Sequence, residues 1–158
     1  MLYNSDWYVL KESTNLDDYV LLLKSNTIKI VDTKQALSAK GNLVIYTPDD
    51  DNILFYLDNT YRKDLENNGL KLGEDAEIRL ITLSELQSVG QYEYKNYVYY
   101  KKTIPSWLQI NKSWWTMTPF SEKSHYYVKK GNVYYTKSDN EKYAVRPVIK
   151  ILKSNIKQ

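Results

Sequence analysis

Apolar positions recur along this chain at two different periods. Ile53, Leu54, Leu57, Tyr61 and Leu65 repeat at helical spacing and share about 120° of a helical wheel. Asp49, Asp50 and Asp51 follow Pro48, where negative charge favours the free N–H groups of a helix start. Asn67-Asn68-Gly69 closes the run as a C-cap. The spacing predicts a helix over about 50–66. A second, shorter helix is predicted over 83–89, because Thr82 and Glu85 stand at capping-box spacing and Gly90 ends the segment.

Elsewhere the period is that of strands. Residues 7–10 form a short strand. Residues 19–24 are an apolar run bounded by Asn15, Asp17, Asp18 and Ser25-Asn26, which predicts a buried strand. Residues 28–31 extend a hairpin, and Asp32-Thr33 caps a helical turn over 34–39 ended by Gly41. After Gly90, strands are predicted at 97–100 and 114–118, with a hairpin of 125–129 and 133–137 around Lys130-Gly131-Asn132. A last strand covers 143–151; Pro147 lacks an N–H, so it lies at an edge or a bulge there. Strands, then two helices, then strands define an α+β class rather than a parallel α/β sheet. The strands holding Trp7 and Val148 are expected to pair and bring the termini together. The expected core holds Trp7, Leu21, Leu23, Leu54, Leu57, Tyr61, Leu80, Leu86, Val145 and Val148 with one of Trp114 and Trp115. Adjacent strand residues face opposite ways, so both tryptophans are buried only if the sheet is covered on both sides.

Length and composition narrow the class. The 158 residues read as one domain, 1–158, near globular averages at 42% hydrophobic and 26% charged. No apolar run approaches the ~20 residues of a membrane span, and acids at positions 6, 12, 17 and 18 exclude a signal peptide in the first twenty residues. The absence of cysteine excludes disulfides, thiol catalysis and cysteine-ligated zinc. Charge is divided unevenly. Residues 1–90 hold 9 Lys and Arg against 15 Asp and Glu; residues 91–158 hold 13 against 4. Ten of the 16 tyrosines and three of the four tryptophans lie in the basic part. Tyrosine offers a large apolar ring with a polar tip at low rotamer cost, which suits recognition surfaces. It also fills strands.

Candidate chemistry is sparse. His125 is the only histidine, without a metal-ligand spacing around it. No nucleophile elbow and no phosphate-binding glycine loop occur. Asp49-Asp50-Asp51 could offer oxygens to calcium, but partnership with the helix start is the simpler role. Lysines are spread through 95–157 without a dense patch, which disfavours a nucleic-acid partner. No catalytic residue, metal site or cofactor is expected.

Four stretches carry a resemblance: Trp7 to Ser13 with Asp18 to Leu23; Ile78 to Leu86; Trp114-Trp115-Thr116-Met117-Thr118-Pro119 with His125 to Val128 and Gly131 to Tyr135; and Val145-Arg146-Pro147-Val148-Ile149. Together, over 7–154, they resemble an uncharacterised domain of surface and pilin-like proteins in low-GC Gram-positive bacteria and their phages, similar to the C-type lectin-like fold in its formylglycine-generating-enzyme-like branch. Arg79 to Glu85 looks like that branch's helix start, with Ile81 in place of its proline; Val145-Arg146-Pro147 looks like its terminal strand. The resemblance implies a C-type lectin-like domain with two helices and mixed, mainly antiparallel sheets, and structural hydrogen-bonding roles for Arg79 and Arg146. The enzyme members' cysteines are missing here, as are the calcium and sugar motifs of vertebrate lectins.

The expected function is therefore a non-enzymatic extracellular or cell-surface recognition and adhesion module that binds protein or carbohydrate, with a filament or pilus-like subunit that self-associates as the alternative. No direct membrane contact by this segment is expected. By analogy with the retroelement members of the fold, the ligand face falls between the Trp-rich strand and the final strand. The expected ligand-binding residues are His125, Tyr126, Tyr127, Tyr134, Tyr135 and Tyr143. Tyr126 and Tyr127 face opposite sides of one strand, as do Tyr134 and Tyr135, so one of each pair is expected to be exposed.

Overall fold

Two antiparallel five-stranded sheets carry the described part of the chain, residues 2–3, 6–28, 53–121, 124–137 and 143–156 of a computed structural model. In chain order the strands are β1 (Leu2–Tyr3), β2 (Trp7–Lys11), β3 (Tyr19–Lys24), β4 (Glu77–Arg79), β5 (Gln91–Lys95), β6 (Val98–Thr103), β7 (Trp114–Ser121), β8 (Ser124–Lys129), β9 (Asn132–Lys137) and β10 (Val148–Leu152). The first sheet runs β1-β2-β3-β10-β4 and the second β5-β6-β9-β8-β7. Two helical segments, one between β3 and β4 and one between β4 and β5 along the chain, make the class α+β. The expected helical turn at 34–39, the extension at 29–31 and the acidic helix start at 49–51 lie outside the described residues.

The helix predicted over 50–66 is a rod of three parts: α1 (Ile53–Tyr56), a π-helical turn (Leu57–Tyr61) and α2 (Arg62–Asn67). Ile53, Leu54, Leu57 and Tyr61 form its buried stripe. The second helix, α3 (Leu83–Val89), occupies the predicted span. Its capping box is present: the Thr82 hydroxyl accepts from the Glu85 N–H at 3.1 Å, and Glu85 Oε1 accepts from the Thr82 N–H at 2.9 Å. Arg79 adds a two-pronged contact, Nη1 to Oε1 at 2.9 Å and Nη2 to Oε2 at 2.7 Å. Burial alone pushes the Glu85 carboxyl up; the Arg79 fork and the Thr82 donors outweigh it and hold the group below its ordinary value.

The chain ends meet differently from the expectation. Strand β10 pairs with β3, Val148 opposite Leu23 and Leu152 opposite Tyr19, while β2 lies on the far side of β3. The Trp7 and Val148 strands therefore do not pair. The physical reason lies in β3. Its Leu22 and Leu23 are both buried, on opposite faces, which suits a central strand better than the half-buried β2. Pro147 sits just before β10, between the bridge at Val145 and the first ladder residue; its carbonyl accepts from the Lys24 N–H at 2.9 Å. Strand β10 thus starts after the proline and is interior rather than an edge.

Two apolar cores result, and the strands alternate between them. The first packs α1, the π turn and the first sheet through Leu22, Leu54, Leu57, Ile149 and Ile151, and takes Trp115 from the second sheet. The second packs α3 and the second sheet through Leu86, Leu108, Val128 and Val133, takes Trp114, and receives Leu23 and Val148 from the first sheet. Successive residues of β3, β7 and β10 therefore enter different cores, so sheet β7 is covered on both sides and both tryptophans are buried. Of the other expected core residues, only Leu21 is half-buried.

Arg146 lies where the cores meet. It is fully buried, and its guanidinium carbon stands 4.9 Å above the Trp114 ring. Its Nε donates to the Lys24 carbonyl at 2.7 Å, and its Nη2 donates to the carbonyls of Trp107 at 2.7 Å and Ser25 at 3.2 Å. No carboxylate pairs with it among the described residues. Burial lowers its pKa to about 10, with nearby Tyr8 opposing the shift.

The two-core arrangement predicts that Trp114→Ala and Trp115→Ala each cost about 3–5 kcal/mol in equilibrium urea unfolding. A loss at only one of the two positions contradicts it.

Candidate functional site

The β5–β6 hairpin turns at Asn96 and Tyr97, with φ of 53° and 66°. Both signs are those of a type I′ turn, where glycine is favoured at the second place. A tyrosine there costs about 1 kcal/mol of backbone strain, and its ring is 58% exposed.

Register determines what shares the face with it. Tyr94 pairs with Tyr99, Tyr99 with Val133, and Tyr126 with Tyr135. These residues lie on the face of the second sheet that enters the second core at Trp114, Val128 and Val133. Toward the Asn96-Tyr97 turn the cover ends and the aromatics continue. Phe120 stacks on Tyr135 with centroids 3.8 Å apart and planes at 18°. Tyr97 meets both edge-on, at 6.1 Å and 6.4 Å. Tyr126 lies beneath, edge-on to Phe120 and Tyr99, and Tyr94 stacks at a tilt on Tyr99. The result is a continuous ledge whose Tyr94, Tyr97 and Tyr135 remain exposed.

The ledge carries hydroxyls as well as rings. Burial raises the Tyr126 pKa, and its neighbours Tyr99 and Tyr94 and a hydrogen bond with Tyr99 add to the rise. Beside Tyr94 and Tyr99, a groove of about 520 Å³ runs along α3 past Gln87, Gln91, Tyr92 and Lys102. The Tyr92 hydroxyl is buried with no hydrogen-bond partner among the described residues, and burial lifts its pKa to about 12.

The second sheet and its connections are strongly basic. Within 91–121 and 124–137 stand Lys95, Lys101, Lys102, Lys112, Lys129, Lys130 and Lys137 against Glu93 alone. All seven lysines are exposed. The ion pairs of the described residues lie elsewhere, at Arg62–Asp58, Arg79–Glu85, Lys150–Glu77 and Lys153–Glu12.

The six expected site residues divide between the two faces. Tyr126 and Tyr135 belong to the ledge, Tyr126 as its buried support and Tyr135 as its exposed platform. Tyr127, Tyr134 and Tyr143 lie on the opposite face, stacked in series at 5.7 Å and 4.3 Å and packed beside Trp115. Both Tyr127 and Tyr134 are half-buried, so the second expected exposed ring is not found there. His125 is fully buried opposite Thr136 and Pro119 and presents nothing to a ligand. Strand alternation separates the set: a contiguous tyrosine block cannot occupy one surface.

Phe120, at the start of the expected face, completes the ledge together with Tyr92, Tyr94, Tyr97 and Tyr99, which lie outside that face. Their signal is the alternation of tyrosine at 92, 94, 97 and 99 about Asn96. Tyrosine in the place of the turn glycine conceals the hairpin.

Among the described residues, no group of three or more acidic, histidine or cysteine side chains is arranged to hold a metal ion, and no helix is long and apolar enough to cross a membrane. Comparisons with protein-family models, curated proteins and solved structures return no match to this chain.

The buried His125 makes stability pH-dependent. Burial lowers its pKa from the ordinary 6.5 to about 4, so between these values the unfolded chain binds a proton that the folded chain refuses. Stability is expected to fall as pH drops from 6.5 to 4, by up to about 3 kcal/mol from this group. His125→Gln removes that part of the slope in unfolding measured across the window. Parallel profiles for the two proteins contradict the assignment.

Proposed function

We propose that this chain is a non-enzymatic recognition module of C-type lectin-like architecture, displayed at a cell surface, whose ligand, a carbohydrate or a protein, lies on the tyrosine ledge of the second sheet. The carrying observation is Tyr97, a bulky aromatic held in a left-handed turn conformation and left exposed. Backbone strain combined with exposure gives no packing return comparable to a buried ring, and strain of this kind clusters at binding sites. Tyr135 supports the same reading. One of its ring faces rests on Phe120, and 39% of its surface stays open as a flat platform.

The lectin-like part of the proposal rests on the α+β layout of two helices and two antiparallel sheets, on the Arg79–Glu85 helix start and on the buried Arg146 before the last strand. The interposed β3 departs from a direct pairing of first and last strands. A binding rather than a catalytic role is supported by the chain's only imidazole being buried and kept neutral.

One observation favours the alternative of a filament subunit. A groove of about 650 Å³ on the first-sheet side is lined by Asp58, Glu74, Asp75 and Glu77 against Arg62 and Arg79, an acidic excess opposite in sign to the lysine-rich sheet. Head-to-tail contact between copies would join the two. Self-association at low salt that disappears at high salt, seen by size exclusion, supports that alternative; a monomer at both supports the recognition module.

The direct test uses Tyr97→Gly and Tyr135→Ser with glycan arrays and immobilised host-cell surface extract. Both variants are expected to keep the wild-type melting temperature within a few degrees, since Tyr97→Gly relieves strain as it removes ring contacts. Both are expected to lose most of the binding. Unchanged binding in both variants, or a wild-type chain that binds neither support, overturns the proposal.

A further inference from the structure

We infer that the open edge of β5 docks the same strand of a second copy of this chain, joining two five-stranded sheets into one antiparallel sheet of ten strands. Strand β5 ends its sheet and pairs with β6 alone. The turn settles which of its backbone groups stay free. Asn96 and Tyr97 both have positive φ, so Lys95 and Val98 close the hairpin as a hydrogen-bonded pair. Antiparallel pairs alternate, so Tyr94 and Tyr99 are a non-hydrogen-bonded pair whose backbone groups point outward. Those of Tyr99 face β9 at Val133; those of Tyr94 meet no partner among the described residues. Lys101, two residues from Tyr99, follows the same alternation: its N–H turns toward β9 and donates to Asn132 Oδ1 at 2.9 Å.

The side chains beside Tyr94 make this edge complementary to itself. Glu93 and Lys95 flank it on the face away from the ledge, are exposed and enter no ion pair among the described residues. When two β5 strands lie antiparallel with Tyr94 opposite Tyr94, each Tyr94 N–H donates to the other copy's Tyr94 carbonyl. Glu93 of each copy then stands opposite Lys95 of the other, giving two cross-strand pairs of opposite charge. The smallest slip that keeps outward backbone groups opposed is two residues. One direction sets Glu93 against Glu93, the other Lys95 against Lys95. The charges therefore select the register, while backbone bonds and ring contact hold it.

Such a pair is isologous and closed, with its two-fold axis perpendicular to the sheet, so both ledges stay on one side. The exposed Tyr94 rings meet across the axis, with Cα atoms about 5.5 Å apart, and the ledges become continuous through them. The edge is short, and a bulge at Gln91 and Tyr92 limits its length. Pairing is accordingly weak, with a dissociation constant on the order of 100 µM. Dilute chains stay single, whereas modules displayed side by side meet at millimolar effective concentration and pair. Presentation of two ledges to one ligand rests on the reading of the ledge as a recognition surface; the pairing itself does not.

The test is sedimentation equilibrium of the full chain from about 10 µM to about 1 mM, at low and at physiological salt. A monomer–dimer equilibrium that stops at two copies is expected under both conditions. Hydrogen exchange at the Tyr94 amide is expected to slow as concentration rises, while exchange at Glu93, already bonded toward β6, stays constant. Glu93→Lys is expected to weaken pairing about tenfold, and Glu93→Lys combined with Lys95→Glu to restore it to within about twofold, with unfolding midpoints unchanged. Monomers at every concentration, a dimer indifferent to the charge exchange, or Tyr94 exchange independent of concentration overturns the pairing and leaves the ledge, which ligand binding tests separately, standing. Growth beyond two copies overturns the closed pair in favour of head-to-tail assembly.

Discussion

A buried guanidinium with no carboxylate partner among the described residues is the constraint around which this molecule is arranged. Arg146 gathers the carbonyls of Lys24, Ser25 and Trp107 and lies over Trp114. Those carbonyls belong to the end of β3 and to the connection between β6 and β7, that is, to both sheets. All three belong to half-buried residues and take a donor from the one guanidinium. The desolvation of the cation is offset only while all these partners stay in place. Arg146 thereby fixes the distance between the sheets. Val145 and Val148 on either side of it drop into separate cores.

That fixed geometry explains how one sheet can serve two purposes. The second sheet is stitched into the body at Trp114, Trp115, Val128 and Val133, while Tyr94, Tyr97 and Tyr135 beyond them belong to neither core. Gly131 illustrates how tight the stitched end is: its φ is +84°, and a Cβ there would lie 2.5 Å from Ile104. The opposite end carries Tyr97 in a conformation that glycine would adopt without strain. Close packing governs one end and surface chemistry the other.

The elements with a strong local signal were legible in the chain. The capping box at Thr82 and Glu85 placed α3, the Lys130-Gly131 turn placed the β8–β9 hairpin, and the stripe from Ile53 to Leu65 placed the long helical rod. The order of strands was not, because β3 and β10 are apolar on both faces and alternation alone does not name their neighbours. The burial of both tryptophans was legible only as a condition, since the second layer of cover comes from parts of the chain far apart in sequence. The aromatic and basic character of the recognition half was visible in composition. Its placement was not: His125 is buried, the Tyr127, Tyr134 and Tyr143 stack went to the face opposite the ledge, and Tyr94 and Tyr97 hid in a hairpin whose turn lacks glycine.

The dependence of both sheets on one guanidinium is open to direct measurement through the equilibrium unfolding free energy of Arg146→Lys beside the wild type. Lysine keeps the charge and much of the length but cannot donate to three divergent carbonyls from a planar fork. The arrangement predicts a loss of about 3 kcal/mol or more, because orphaned carbonyls add to a poorly solvated cation. A variant within about 0.5 kcal/mol of the wild type, in the range of an ordinary surface change, would contradict it.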